Sequence, residues 1–227
     1  MRNAMTRHFF HVACLLGGSL LFSTPSLATD LTTKFDAKHK TCLESIAVDA
    51  QEAFEQAMQW RDTGGGRRAK HCVAMALFAL GHEEEAAFRL DALAKGADGG
   101  PKSTRVKHYA EAANLWLTAK EADKAYASAS AGLELEYDHL DLRISRARAY
   151  AMSGRYDYAE IDLTSVLALD PKRADALRYR ADARFKMDKV SEAQTDIEAS
   201  LDLDPTSVET ALLRGQIREA VRLTETE

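Results

Sequence analysis

The side chains best suited to chemistry in this 227-residue sequence are Cys42 and Cys72, each with a histidine close by. His39 lies three residues before Cys42, and His71 adjoins Cys72. Three readings are open: a disulfide, a pair of free thiols, or a metal site. His39 and Cys42 can share a helical face, because residues three apart are neighbours there. Adjacent residues on a helix point about 100° apart, so His71 and Cys72 together make a poor start for a tetrahedral site. A redox-active pair would lack its usual Cys-x-x-Cys spacing. The segment from Gly96 to Ser103 comes within one residue of a phosphate-binding loop. Pro101, however, stands where that loop needs glycine and removes a backbone donor, so the segment reads as a flexible insertion. Glu83, Glu84 and Glu85 could hold a cation, but acidic residues at a helix start interact well with the helix dipole and read as a solvated first turn. No Ser, His and acid trio emerges. No catalytic residue, cofactor or metal ligand is therefore expected.

The elements that must position these residues begin with a leader. Arg2 and Arg7 precede an apolar stretch from Phe9 to Phe22, and Pro25 leads into Ser26-Leu27-Ala28. Charge, apolar core and a small-residue site in that order predict a secretory signal peptide over 1–28, cleaved after Ala28. Its apolar part is too short for a spanning helix of about 20 residues. The remaining chain, 29–227, is then periplasmic or secreted. In that oxidising setting two cysteines in a small domain read as a disulfide.

The whole chain has 30 basic and 35 acidic residues, and the leader holds two of the basic ones, which leaves about −7 after cleavage. That balance is unlike the basic footprint of a nucleic-acid binder. No later apolar run is long enough to span a membrane. Aromatic residues make up only 7%, and Ala is abundant. Such a chain closes its core by bringing helices near one another, since Ala has the best helix propensity and little bulk. No stretch alternates with period two, so strands are not expected.

An internal repeat decides the architecture. Val166-Leu167-Ala168-Leu169-Asp170-Pro171 matches Ser200-Leu201-Asp202-Leu203-Asp204-Pro205, 34 residues on. In the same register Ala147, Ala181 and Gly215 align, as do Ala125, Ala159 and Ala193. A period of 34 with small residues at fixed helical offsets signals stacked helix–turn–helix units.

This resembles the tetratricopeptide-repeat family, whose pattern places small residues at positions 8, 20 and 27, a large one at 11 and proline at 32. Residues 140–173 supply Ala147, Tyr150, Ala159 and Pro171, with Val166 departing at 27. Residues 174–207 supply Ala181, Ala193, Ser200 and Pro205, with Arg184 departing at 11. Residues 106–139 supply Ala113, Trp116, Ala125 and Gly132, but Tyr137 replaces the proline. A looser unit with an insertion covers 67–105, a degenerate one covers 34–66, and 208–227 forms a capping helix. The resemblance implies an all-α, right-handed solenoid, one domain over 29–227. It also puts Cys42 and Cys72 in the first helices of adjacent units, side by side.

The register makes a physical prediction. Arg146 and Asp162 stand 16 apart, as do Arg180 and Asp196, at positions that face each other across an antiparallel helix pair. Each is expected to be an ion pair. The unit 106–139 carries Ala112 and Ser128 there, so both partners change together, as they should where one buried charge alone is costly. Arg214 holds the same place in the last helix, with no partner following at that spacing.

By the resemblance, first helices line a concave wall that binds a protein or peptide partner, making the chain a scaffold or adaptor rather than an enzyme. The family's groove positions fall on Lys107, Ala110, Asn114, Leu117 and Thr118; on Asp141, Ile144, Arg148, Ala151 and Met152; and on Asp175, Arg178, Asp182, Phe185 and Lys186. In the looser unit they fall on Arg68, His71, Met75, Phe78 and Ala79. Phe78, Met75, Met152 and Phe185 read equally well as residues packed between units. The clamp that some members use for a C-terminal carboxylate is incomplete: Asn114 is in place, but Ala110 stands where Lys is needed and Asp175 where positive charge is required. Service as an accessory subunit of an envelope enzyme or secretion machine, or a metal or redox role through Cys42 and Cys72, are the other functions considered.

Overall fold

Small residues recurring at positions 8 and 20 should allow paired helices to pack closely, and those residues are buried. The computed structural model describes residues 27–224, and every regular element among them is an α-helix. In order these are α1 (Leu27–Ile46), α2 (Ala50–Asp62), α3 (Gly66–Ala79), α4 (Glu83–Lys95), α5 (Lys102–Thr118), α6 (Ala122–Leu135), α7 (Leu140–Met152), α8 (Tyr156–Leu169), α9 (Ala174–Lys186), α10 (Val190–Leu203) and α11 (Val208–Thr224). The predicted leader lies outside the described residues apart from Leu27 and Ala28, with which α1 begins. None of these helices is long and apolar enough to cross a membrane.

Each helix packs on the next, and α1 also packs on α3 and α5 on α7. The even-numbered helices make no comparable contact with one another. The first helix of each pair therefore forms one wall and the second helix the other. Ala74 with Ala86, Ala113 with Ala125, Ala147 with Ala159 and Ala181 with Ala193 are all buried, one small residue from each helix of a pair. Between them the larger side chains form successive clusters along the stack, from Val73 and Leu90 through Leu142 and Leu163 to Ile197. The last cluster is closed by Ile217 and Leu213 of α11, which covers the end of the solenoid.

From α3 onward, the turn inside each pair repeats one device. Gly81, Lys120, Gly154 and Asp188 all take positive φ, from 61° to 82°. In each case the next N–H reaches a carbonyl five residues back, as Glu121 does to Trp116 at 2.9 Å. This left-handed stop favours glycine, yet two of the four turns manage without it.

Both expected ion pairs form. Nε and Nη2 of Arg146 donate to Asp162 at 2.7 Å each, and the Arg180 fork does the same to Asp196 at 2.8 and 2.7 Å. Arg214 departs from expectation: Glu198 of α10, in the preceding unit, lies 3.7 Å from it. Its partner comes from an earlier helix, which the fixed spacing of 16 does not reveal. Arg184, out of pattern at position 11, is explained too, because it donates to both Glu160 and Asp196 at 2.7 and 2.8 Å. The insertion after α4 is held rather than loose. Lys70 pairs with Asp98, and Arg105 Nε donates to the Ala94 carbonyl at 2.6 Å.

Candidate functional site: an inner groove and a buried histidine cluster

The inner wall carries a cavity of about 490 Å³ between α5, α7 and α9. Lys107, Ala110, Asn114, Asp141, Ile144, Arg148 and Asp175 line it, all of them groove positions by sequence. A second hollow of about 220 Å³ continues it, bounded by Ala147, Ala151, Met152, Leu163 and Asp182. Arg148 and Tyr179 belong to both, so the two form one groove with a polar and an apolar part.

Several charges in the groove are internally satisfied. Arg173 donates to Asp175 at 2.8 Å and to Asp141 at 2.5 Å, which neutralises two of the acids on the wall. Those two carboxylates hold the Arg173 proton more firmly than usual, the bond to Asp175 most of all. Others are left available. Arg148 donates to the Asn114 side-chain oxygen at 3.1 Å and lies 5.1 Å from the centre of the Tyr179 ring. Arg178 stacks on the same ring at 4.2 Å. Neither arginine has an ion pair among the described residues. Asp182 has none among them either, and burial raises its pKa against the opposing pull of Lys186 and Arg178.

Not every groove position faces the cavity. Leu117 is only 5% exposed and belongs to the core around Leu115 and Trp116, so it is corrected to a packing residue. Position 13 of that unit, Thr118, is spent on the Asn114 carbonyl. Phe185 packs against the Ile197 cluster, and Met75 against the Cys72 cluster. Met152 stays 45% exposed at the rim, and Phe78 is exposed as well. Of the four apolar residues with two readings, two pack between units and two remain open.

Cys42 and Cys72 form a disulfide that ties α1 to α3, with Cα atoms 6.3 Å apart. Both sulfurs are bonded to each other, so neither is a thiolate able to ligate a metal in this state. The neighbouring histidines nevertheless assemble. His39 Nε2 lies 2.9 Å from His71 Nδ1, and His71 Nε2 lies 2.9 Å from Glu111 Oε2. His108 Nδ1 approaches the same oxygen at 3.3 Å. Burial acts to raise the Glu111 pKa, but the hydrogen bonds from His108 and His71 outweigh it and bring it to about 2. His39 is lowered to about 4, chiefly by burial and then by the charges of His71, Lys107 and Arg68. His108 and Glu111 were missed in the sequence. The available signal was their i, i+3 spacing on α5, which puts both on one face.

Comparison with solved structures decides the family of folds. A MamA variant (RS-1, ArsTM double mutant) superposes with a TM-score of 0.64, covering 78% of this chain and 96% of its own at 15% identity. This is the tetratricopeptide-repeat fold. A thermophilic tetratricopeptide-repeat protein from Thermus thermophilus gives 0.61 over 81% of this chain and 98% of its own, again at 15% identity. The first tetratricopeptide-repeat domain of human RPAP3 gives 0.51 at 26% identity, over 54% of this chain and 96% of its own. From sequence alone, no family model and no curated protein matches. Those tetratricopeptide-repeat neighbours share the architecture, and the groove described above lies on the wall that the repeat's first helices build.

Proposed function

We propose that this protein is an exported tetratricopeptide-repeat scaffold that holds an extended segment of a partner protein along the groove between α5, α7 and α9. The observation that carries this reading is the set of unpaired charges beside an apolar hollow. Arg148, Arg178 and Asp182 have no ion pair among the described residues, although carboxylates and guanidinium groups elsewhere on the same wall are matched. An acidic side chain at Arg148, a basic one at Asp182 and an apolar one between Ala151, Met152 and Leu163 would complete the groove. Apolar anchors would supply most of the binding energy, and the charges would set partner choice and orientation. Export is supported by the leader-like N-terminal sequence and by the Cys42–Cys72 disulfide, a bond that persists in oxidising compartments.

A second reading, an accessory subunit docked through the outer wall, is favoured by one observation. Tyr126, Tyr158 and Ile161 of α6 and α8 are exposed side chains on the second-helix wall. Affinity capture from envelope extract separates the two readings. The intact chain is compared with Arg148→Ala/Asp182→Asn and with Tyr158→Ala/Ile161→Ala. A partner lost only by the groove variant supports the scaffold reading. Loss only in the outer-wall variant overturns it, as does retention of every partner by the groove variant.

A further inference from the structure

The first helices of this solenoid do not meet evenly. α1 packs on α3 and α5 packs on α7, whereas α7 touches α9 and α9 touches α11 only slightly, and α3 and α5 come to no comparable contact. The interval from Gly81 to Lys120 is 39 residues, whereas the later turns recur every 34, so the insertion after α4 falls at the junction of α3 and α5. Polar side chains fill it. His71 and His108 are 3% and 4% exposed, with ring centres 4.9 Å apart, and Glu111 closes the group. One nitrogen of each histidine and a Glu111 oxygen all lie within 4.8 Å of one another.

We propose that His71, His108 and Glu111 form a binding site for one divalent transition-metal ion, with zinc the best chemical match, and that His39 orients His71 from outside the coordination shell. Two imidazole nitrogens and one carboxylate suit zinc and its neighbours rather than magnesium or calcium, which prefer oxygen alone. Bonds of about 2.0–2.1 Å in tetrahedral geometry set ligand atoms roughly 3.4 Å apart. Two of the separations here are 2.9 and 3.3 Å, so small side-chain rotations would open the group around an ion.

The surroundings fit the same assignment. His39 Nε2 faces His71 Nδ1, the position from which a buried partner fixes the tautomer of a metal-bound imidazole. Coordination through His71 Nε2 and His108 Nδ1 leaves both rings neutral, each proton residing on the other nitrogen. For His71 that nitrogen is the one His39 accepts from. Lys107 lies 3.7 Å from Glu111 Oε1, which leaves Oε2 for the ion. A hollow of about 210 Å³ has His39, His71 and His108 in its wall, together with Asp36 and the cationic Arg67, Arg68 and Lys107, giving an entry path and room for a water as fourth ligand. The frame is rigid, because Cys72 beside His71 is bonded to Cys42, one turn after His39.

The test is zinc titration by calorimetry of the full chain, without a histidine tag, with its disulfide intact and previously stripped by chelator. Cobalt(II) absorption then serves as a probe of coordination number. The expected result is one equivalent of zinc, a higher melting temperature with zinc present, and cobalt bands of a four- or five-coordinate nitrogen–oxygen site. His108→Asn and Glu111→Gln should each abolish stoichiometric binding, and His39→Asn should weaken it by roughly 10- to 100-fold. His82→Asn, remote on the α3–α4 turn, should leave it unchanged. Glu111→Gln preserves shape at a partly exposed position and carries the test if His108→Asn fails to fold. Absence of a bound equivalent in the intact chain, or binding that survives Glu111→Gln, overturns the proposal.

Discussion

Asp196 of α10 receives both Nε and Nη2 of Arg180 of α9, a two-pronged bond across one antiparallel helix pair. Arg146 and Asp162 repeat it one unit earlier. Both carboxylates are 3% exposed, and each takes a further guanidinium: Arg184 donates to Asp196 at 2.8 Å and Arg143 to Asp162 at 3.5 Å. These arginines are held by the fold, whereas Arg148 and Arg178 on the neighbouring helical face are not. The division between structural and available arginines thus follows which side of the first helix they occupy.

Removing one partner of such a group strands the other. Asp196→Ala leaves Arg180 and Arg184 largely buried without their shared acceptor, and should destabilise the fold by about 3 kcal/mol or more. Replacing Arg180, Arg184 and Asp196 together with apolar residues of similar volume should cost much less than Asp196→Ala alone. Chemical denaturation of the two variants makes the comparison. An Asp196→Ala loss under about 1 kcal/mol, the range of an exposed pair, would contradict the assignment.

The disulfide closes a loop across 30 residues and joins the degenerate first unit to the second. On the chain-entropy model its loss should cost about 3–4 kcal/mol. Because repeats contact mainly their neighbours, that cost should be local. Hydrogen exchange on Cys42→Ala/Cys72→Ala should show α1 and α2 losing protection while α9 to α11 keep theirs. Uniform loss along the chain would show that the solenoid unfolds as one unit.

How much of this was legible in the sequence follows from what the 34-residue register encodes. Ala125, Ala159 and Ala193 repeat because these pairs need the same close approach, so the pairing of helices follows from spacing. Arg180 and Asp196 could be matched for the same reason. Leu117 was misassigned because a groove position and an inter-unit position lie one helical step apart on the same wall. The contact of Arg214 with Glu198, and of His71 with Glu111, joins different units at no recurring spacing, so nothing in the register marks it. The histidine cluster is further hidden because it sits where the insertion breaks the period.

Lys120 and Asp188 hold φ of 61° where the equivalent turns use Gly81 and Gly154. A left-handed conformation costs an ordinary residue about 1–2 kcal/mol, while glycine loses more entropy on folding, by roughly 0.5–1 kcal/mol. The first term is the larger. Lys120→Gly should therefore stabilise the protein by up to about 1 kcal/mol, and Asp188→Gly by less because aspartate tolerates this region better, measured as a raised unfolding midpoint. The same change at Ala119, whose φ is −71°, should destabilise it.

Asp182 is the groove carboxylate whose ionised form the fold supports least. Burial raises its pKa above the ordinary 3.8, and Lys186 and Arg178 only partly offset that. A raised folded value means that the ionised form costs stability at neutral pH. The cost fades as pH falls through the folded pKa, and it is absent once both states are protonated, below 3.8. Asp182→Asn should accordingly stabilise the free protein at pH 7 by a few tenths of a kcal/mol, a small effect because the group is partly solvated. Thermal melts at pH 7 and pH 3 should show that gain shrinking on acidification. The same variant should bind the groove partner more weakly, since it lacks the charge that a basic side chain of the partner would meet. A more stable protein that binds less well is what a carboxylate retained for recognition predicts. Equal stability at both pH values and undiminished binding would instead assign Asp182 to the solvated surface.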